Sequence, residues 1–332
     1  MDPITHTLAG ATMARAGLDR RTPLATAALL LGANAPDIDI FTALGEANAT
    51  LACRRGWTHG PLAWIVLPFA VAGLLMAWDR WVRRRRDPSA NPVRGDALLS
   101  LAALGVFSHP ALDWLNTYGI RLLKPFSETW FRGDSVFIID PWIWLLLGTG
   151  LIVARRAQPN QSRATRLART AGMLALAYVA TMIGLSVQGK RVTRSAADAA
   201  GIAPITEVLY SPRPANPFAA DVVVRTPVAY HPGALRWLSD PRVTFTGIVI
   251  PRGDWDAPAV LRARATPAAR NYLVWSQFPY VRVEVQGADT TVFFGDARYR
   301  AGSAGTLGGL LLHVSHQVPT ARAGGRREGA TP

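Results

Sequence analysis

The first 113 residues contain three histidines, and these together with three of the aspartates there are of the residue types that bind divalent metal ions. They are His6, Asp37, Asp39, His59, His109 and Asp113. Imidazole and carboxylate ligands together suit Zn²⁺, or a borderline ion such as Mn²⁺, bound singly or as a pair. Such an ion lowers the pKa of a coordinated water to about 7 and polarises phosphoryl or acyl oxygens. The six residues therefore favour metal-dependent hydrolysis, with Asp37 and Asp39 as the candidate catalytic carboxylates.

Each of these residues also has a simpler interpretation when it is taken alone. His6 lies in the first turn of a predicted helix, where a cap or interface role is common. Asp37 and Asp39 follow a helix, as the acids of a solvated turn often do. His109 and Asp113 are four residues apart, so a helix places them on one face, where they could form a simple hydrogen-bonded pair. A metal site therefore requires a fold that brings all six residues together.

The elements that must position these residues are apolar helices. Asp2 and Pro3 predict the start of one short helix, which ends near Gly17. Thr22 and Pro23 predict the start of a second, which ends near residue 33. Four longer segments approach the ~20 residues that cross a bilayer. They cover about residues 61–82, 97–115, 141–155 and 171–187.

Arginine placement predicts how these helices cross the membrane. The formal net charge is +14, and the arginines cluster beside the apolar segments, as they do on the cytoplasmic side of membrane helices. This pattern favours a membrane protein over a nucleic-acid-binding protein, which a basic charge alone could indicate. Three basic stretches fall on alternate connections and can all be cytoplasmic: 15–21, 83–94 and 155–169.

The same topology places all six candidate ligands at the outward membrane boundary. Residues 34–60, residues 116–140 and the chain beyond about residue 188 face outward, with Lys190 as a cation on the unexpected side. Ionisable groups at the edge of an apolar bundle are rare and usually functional, so we expect one metal site there. Four further residues at this boundary could orient ligands or substrate: Asn34, Thr58, Asn116 and Tyr118. Asp140 is more simply a helix N-cap.

Beyond residue 190 the pattern changes to short runs such as VTFTGIVI, YLVWSQFPYVRVEV and TTVFFGDARY, which predict strands and hairpins. Three further histidines lie there: His231, His313 and His316. The HVSH motif resembles a strand edge more than a ligand pair. The expected fold is an all-α multi-pass membrane bundle, with a short N-terminal helical hairpin and about four transmembrane helices, followed by a small β-rich soluble domain. The expected bounds are 1–188 for the bundle, 189–318 for the β-rich domain and 319–332 for a disordered tail.

Five short motifs occur in order within the first 145 residues: MDPITHTLAG, NAPDIDIF, RGWTHGP, SHPALDWLNTYG and FIIDPW. Together they resemble the membrane-bound metal-dependent hydrolases of the YdjM-like, LexA-regulated family. The resemblance implies an integral inner-membrane hydrolase. It also implies that the family's motif positions are held here by His6, Asp37, Asp39, His59, His109 and Asp113. It covers nearly all of the membrane half and gives no guide to the long C-terminal extension.

A weaker similarity, to zinc-dependent phospholipase C, rests on the spacing of His109 and Asp113 and favours a lipid phosphoester as substrate. The expected function is an integral membrane hydrolase that cleaves a lipid-linked or envelope phosphoester through a metal-activated water. The expected location is the inner membrane, with the metal site and the C-terminal domain on the periplasmic side. Its partners would be the bilayer and that substrate, with no nucleic acid. The alternative is a non-catalytic membrane scaffold or sensor with a structural metal, since a catalytic ion needs an open coordination position.

Overall fold

The structure is a computed structural model that describes residues 1–44, 47–287, 289–299 and 309–315. His316 and the predicted tail, 319–332, lie outside the described residues. The helices are α1 (Pro3–Arg15), α2 (Ala25–Asn34), α3 (Ala47–Cys53), α4 (Pro61–Trp78), α5 (Arg84–Arg86), α6 (Gly95–Trp114), α7 (Pro141–Arg156), α8 (Gln161–Ala199), α9 (Pro258–Arg264) and α10 (Pro267–Trp275). Two 3₁₀ segments carry candidate ligands: Ala35–Leu44 after α2 and Trp57–His59 before α4.

Two of the three predicted helix starts are confirmed. Asp2 caps α1 by accepting from the backbone amides of Ile4 and Thr5, and Asp140 caps α7 in the same way. The predicted start at Thr22 is wrong, because α2 begins at Ala25 after Leu24, which has a left-handed conformation (φ 63°). The Thr22 hydroxyl instead accepts from the backbone amide of Arg94 at 2.8 Å, which ties the turn after α1 to the start of α6.

Helices α2 and α6 cross at two glycines, and this crossing sets the position of the candidate ligands along both helices. A Cβ on Gly32 would lie 2.6 Å from the carbonyl oxygen of Ala102, and one on Gly105 would lie 2.8 Å from that of Leu29. The two backbones are therefore closer than side chains would permit. Apolar residues on both helices complete this core: Ala28, Leu29, Leu98, Leu101 and Ala102. One turn beyond Gly105, the same helix face carries His109 against the end of α2.

Three helices in the described part of the chain are long and apolar enough to cross a membrane: Pro61–Arg86, Gly95–Trp114 and Gln161–Ala199. The first joins α4 to α5 through a π turn at Asp79–Arg83. The third predicted span, 141–155, forms α7, whose 16 residues are fewer than the ~20 of a full span. The fourth, 171–187, lies inside the 39-residue α8, which continues past the predicted end to Ala199.

The C-terminal part contains two antiparallel sheets, as the alternating runs predict. The strands are β1 (Glu207–Arg213), β2 (Asn216–Arg225), β3 (Ala229–Arg236), β4 (Val243–Phe245), β5 (Ile250–Pro251), β6 (Pro279–Gln286), β7 (Asp289–Asp296) and β8 (Gly309–Ser315). The first sheet has the order β1-β2-β3-β4 with β5 also paired to β3, and the second has the order β6-β7-β8. His313 lies in the edge strand β8, as expected for part of a strand edge.

One predicted strand segment is helical. The residues YLVW, 272–275, end α10 rather than begin a strand. Thr266 caps this helix through the backbone amide of Ala269, and Pro267 occupies its first turn. Tyr272 and Trp275 are then three residues apart on one helix face, and both are buried. Capping and helical spacing thus override the strand preference of these side chains.

Candidate metal centre

Four separate elements bring the candidate ligands to one place. His109 and Asp113 lie one turn apart on α6, where they were predicted to share a face. His6 lies on the first turns of α1, Asp37 and Asp39 on the 3₁₀ segment after α2, and His59 at the end of the 3₁₀ segment before α4. The three imidazoles and Asp113 have no exposed surface. Residues from four elements thus form one buried polar cluster.

Three ligand-type atoms in this cluster form a nearly equilateral triangle. His59 Nε2 lies 3.1 Å from His109 Nε2 and 3.3 Å from Asp113 Oδ2, and His109 Nε2 lies 3.4 Å from the same oxygen. Tetrahedral zinc with bonds of about 2.0–2.1 Å separates neighbouring ligand atoms by roughly 3.3–3.4 Å. The triangle therefore fits three ligands on one face of a tetrahedral ion.

The hydrogen bond behind His109 fixes the tautomer in which its Nε2 can act as a ligand, and His59 also has a partner at Nδ1. His109 Nδ1 lies 2.7 Å from the carbonyl oxygen of Ala33. Because a carbonyl only accepts, Nδ1 carries the proton, and neutral His109 presents the lone pair of Nε2 to the cluster. His59 Nδ1 lies 2.8 Å from the hydroxyl of Thr58. Burial lowers the pKa of His59 well below its ordinary value and keeps it in the neutral form that a metal requires.

His6 joins the cluster from the other side of His109. Their rings stack with centroids 3.7 Å apart, and His6 Nε2 lies 3.5 Å from Asp113 Oδ1. Neither ring nitrogen of His6 has a hydrogen-bond partner in the described part of the chain. Buried polar groups are normally paired, so the nitrogens of His6 are available to a ligand such as a metal ion.

Two overlapping groups of ligand-type atoms result. His6, His109 and Asp113 form one, and Asp37, His59 and His109 form the other, each with its atoms within 4.8 Å of one another. Asp37 Oδ1 lies 3.8 Å from His109 Nε2. The side chain of Asp37 is 14% exposed, against 4% for Asp39 and 0% for Asp113, so it is the most accessible carboxylate of the three.

The structure does not bring Asp39 into either group, although the sequence placed it among the ligands. Its Oδ2 accepts from the backbone amide of Arg55 at 2.7 Å, and its Oδ1 lies 3.2 Å from Arg54 Nη1. Burial raises the pKa of Asp39, while Arg54 and the Arg55 amide oppose that rise. Asp39 Oδ2 also lies 3.6 Å from His59 Nδ1. Its position is behind His59 rather than beside the triangle.

Two arginines that the sequence reasoning missed lie in the cluster. Arg55 is buried, and its Nη2 lies 3.0 Å from Asp113 Oδ1, which the amino group of Met1 also contacts. Arg54 Nη2 lies 3.7 Å from Asp37 Oδ1. Burial lowers the pKa of Arg55 to about 10, so it stays protonated at neutral pH. The sequence feature that could have identified them is the presence of two adjacent arginines in a loop predicted to face outward, where arginines are scarce.

The match to known families covers the part of the chain that carries this cluster. Residues 1–191 of the 332 match the family model for the YdjM inner membrane protein. The chain belongs to the YdjM inner membrane protein family. The resemblance inferred from the five motifs is thereby confirmed. The family description and the three long apolar helices agree on an inner membrane protein in a lipid bilayer.

A curated relative shares a shorter stretch with this YdjM family member. The chain is 29% identical over 121 residues to the "Uncharacterized protein YfhP" of Bacillus subtilis (strain 168). The match includes 36% of this chain and 33% of that protein, so it spans about a third of the relative's length. No solved structure matches the chain.

The four predicted supporting residues of this YdjM protein lie near the cluster in different ways. Thr58 contacts His59, as described. Asn116 Oδ1 accepts from Arg55 Nη1 at 3.0 Å, and the guanidinium of Arg55 lies 4.6 Å from the centre of the Tyr118 ring. Asn34 bonds Thr7 and the Leu30 carbonyl instead. Three of the four thus contact His59 or Arg55.

Residues beyond the YdjM match contact the loop that follows α6. Gln277 Nε2 donates to the carbonyl of Tyr118 at 2.7 Å, and Arg298 Nη1 donates to that of Thr117 at 3.2 Å. Lys190, which lies on α8 at the end of the matched residues, contacts the same loop, because its Nζ donates to the buried Asp134 at 2.8 Å. This contact explains why Lys190 is a cation on the predicted outward side. The C-terminal extension therefore supports the loop that holds Arg55.

Proposed function

We propose that this protein is an integral membrane metal-dependent hydrolase that acts on a lipid-linked or envelope phosphoester. The observation that carries the proposal is the triangle of His59 Nε2, His109 Nε2 and Asp113 Oδ2, with edges of 3.1, 3.3 and 3.4 Å. His6 and Asp37 lie at its edge as further ligands for the same ion or for a second one. Zn²⁺ suits this mixed nitrogen and oxygen set best, with Mn²⁺ as the alternative.

The chain's own residues supply the remaining functions of such a site. A divalent ion held here would polarise a phosphoryl oxygen and provide a nucleophile at neutral pH. Asp37, the most accessible carboxylate, accepts a proton from the attacking water and is the candidate general base. Asp39 holds the loop of Arg54 and Arg55 behind His59 and is assigned a positioning role. Arg54 is part-exposed and offers its guanidinium to a phosphate oxygen.

The proposed orientation places this centre at the periplasmic boundary of the inner membrane. It is supported by the arginine-rich connections, which lie at the opposite ends of the helices from the cluster. It is also supported by the contacts of the C-terminal extension with the loop after α6. The proposed division remains a membrane domain of residues 1–188 and a β-rich domain of residues 189–318.

Metal content of the protein purified in detergent tests this function. We expect bound zinc or manganese in the intact protein and a large loss in His109→Ala and Asp113→Asn. His313→Ala is the matched control, because His313 is an exposed histidine of the edge strand β8. A metal content near zero in the intact protein, after dialysis against either ion, would refute the proposal. Hydrolysis of bis(p-nitrophenyl) phosphate by the metal-loaded protein then tests the reaction.

A second candidate function is a membrane scaffold or sensor whose polar cluster is purely structural. It is favoured by Arg55, which already places a cation 3.0 Å from Asp113 and also donates to the carbonyl of Gly119 at 3.1 Å. A buried carboxylate can be neutralised by such an arginine alone. Metal binding without turnover of any phosphodiester or phospholipid would favour this second function.

A further inference from the structure

A groove beside the candidate metal centre runs along helix α4, and Asp37 belongs to both. It lies between α4 and the 3₁₀ segment Ala35–Leu44 and has a volume of about 410 Å³. This is within the roughly 300–1,000 Å³ of small-molecule sites. Its apolar lining includes Ile38, Phe41, Leu67 and Leu74, and its polar lining is Asn34 and Asp37. This lining matches a molecule with a long apolar part and a polar head.

We propose that this groove binds an acyl chain of a membrane phospholipid and brings the phosphate of that lipid to Asp37. The proposal rests on the proposed function and names the substrate class for the same site. The lipid would enter sideways from the bilayer along α4, without leaving the membrane.

The side chains of the groove indicate an acyl chain as its occupant. Phe41, Leu74 and Ile38 are 67%, 63% and 55% exposed, which is unusual for adjacent large apolar residues of a protein surrounded by water. Helix α4 belongs to a segment that is long and apolar enough to cross the membrane. The molecules that surround such a helix are the acyl chains of lipids. Leu67 and Leu74 are seven residues apart, so the groove follows α4 for about 10 Å.

The polar residues near the groove indicate a phosphate as the head group. Arg54 Nη2 lies 3.7 Å from Asp37 Oδ1, and the Arg54 side chain is 23% exposed. A guanidinium is the side-chain group best suited to bind phosphate oxygens in two places. Asp37 in turn lies 3.8 Å from His109. A phosphate bound by Arg54 would therefore reach the candidate metal centre while its acyl chain remained in the groove.

A second groove, between the start of α4 and the end of α6, provides a comparison within the same protein. It has a volume of about 490 Å³, and its lining residues Trp64, Phe107, Ala111 and Trp114 are accompanied by other apolar residues alone. If apolar surface alone attracted lipid, both grooves would bind it equally. The groove at Asp37 differs because a carboxylate lines it and an arginine lies next to it.

Photo-crosslinking tests the proposal on the full chain in nanodiscs of phosphatidylethanolamine and phosphatidylglycerol. The probe is phosphatidylglycerol with a diazirine in one acyl chain, and mass spectrometry locates the labelled residues. Ala70 lines the first groove and Ala111 the second, and both are exposed, so Ala70→Trp fills one groove and Ala111→Trp the other without disturbing the core. Ile65 and Phe69, which line neither groove and are exposed on α4, report ordinary lipid contact.

We expect labelling of Ile38, Phe41 and Leu74 to fall by about tenfold in Ala70→Trp, through lost apolar contact, and to stay unchanged in Ala111→Trp. Labelling of Ile65 and Phe69 should not change in either variant. Equal labelling of all exposed residues of α4, insensitive to Ala70→Trp, would overturn the proposal. Metal content, measured on the same samples, reports separately on the proposed function. If the protein contained no metal but its labelling followed the expected pattern, the proposed hydrolase function would be refuted and the proposed lipid binding in the groove would stand.

Discussion

At the scale of single residues, Arg55 connects the candidate metal centre to the elements around it. Its guanidinium reaches Asp113, Asn116 and Gly119, and its backbone amide donates to Asp39. The same side chain lies over Tyr118. One buried cation therefore joins the ligand helix α6, the loop after it and the 3₁₀ segment that carries Asp37.

We predict that Arg55→Met destabilises the protein by about 3 kcal/mol, because removing one partner of a buried ion pair leaves an uncompensated charge on Asp113. Arg55→Lys keeps the charge but loses the forked geometry, so its loss should be smaller. Thermal unfolding in detergent measures both variants. Added zinc should restore part of the stability of Arg55→Met, since a divalent ion that binds the folded state stabilises it by about 2.7 kcal/mol at 100 times its dissociation constant. Equal stability of Arg55→Met and the parent protein would contradict this role.

The sequence predicted the types of the cluster residues better than their exact roles. Five of the six candidates converge in the structure. This was predictable because arginine counts and helix caps are enough to place them at one membrane boundary. The position of Asp39 could not be predicted, since it depends on a backbone amide of Arg55 that only the folded loop presents. Arg55 stands out in the sequence only as one of two adjacent arginines in a loop predicted to face outward, and its contact with Asp113 is evident only in the folded structure.

At the scale of elements, the crossing of α2 and α6 fixes His109. The crossing lies at Gly32 and Gly105, and one turn later His109 Nδ1 bonds the carbonyl of Ala33. The distance between the two helices therefore controls the orientation of the His109 ring and which of its nitrogens carries the proton.

We predict that Gly105→Ala separates these helices and costs about 1–3 kcal/mol, because the new Cβ would lie within 2.8–3.0 Å of backbone atoms of α2. Metal content should fall as well, since the His109 to Ala33 bond would lengthen. Gly73→Ala is the control, because a Cβ there meets nothing within 4 Å in an exposed part of α4. Unchanged melting temperature and metal content in Gly105→Ala would show that the crossing is not tight.

Helix boundaries were predictable where a local signal decided them. Asp2 and Asp140 bind the first amides of their own helices, so a few residues determine the start. Thr22 and Pro23 carry the same signal, but the Thr22 hydroxyl binds Arg94, which is distant in the sequence. The length of α8 was also missed, because its last turns are covered by strands that follow it in the chain.

At the scale of the whole molecule, a buried ion pair attaches the second sheet to the candidate centre. Asp296 Oδ1 lies 2.9 Å from Arg298 Nε, and Arg298 also donates to the carbonyls of Thr117 and Tyr118. Ser276 donates to Asp296 at 2.7 Å. The loop after α6 is thus held from the membrane side by Arg55 and from the sheet side by Arg298.

We predict an acid-sensitive C-terminal part because of Asp296. Burial alone would raise the pKa of this carboxyl, but Arg298 and the hydrogen bond from Ser276 outweigh it and hold the pKa below its ordinary value. The stabilisation is therefore complete above about pH 4 and is lost as the pH falls further through the folded-state pKa. Circular dichroism melts between pH 7 and pH 3 measure this effect.

The matched variants for this pH dependence lie on one strand. Asp296→Asn should cost about 3 kcal/mol at pH 7 by leaving Arg298 unpaired, and it should flatten the pH dependence below about pH 4. Asp289→Asn, at the exposed start of β7, should change neither. An unaltered acid transition in Asp296→Asn would assign the transition to other carboxyls.

Helix α8 has a consequence for cooperativity. Its 39 residues extend for about 58 Å, roughly twice the thickness of the hydrocarbon core of a bilayer. On its C-terminal turns, Val192 and Ala196 pack against the core of the first sheet around Tyr210, and Ala197 packs against Val208 and Val224. One continuous helix thus belongs both to the apolar helical bundle and to the core of the first sheet. The two halves are therefore expected to unfold together, and a chain shortened to the residues of the family match would remove one half of a shared core.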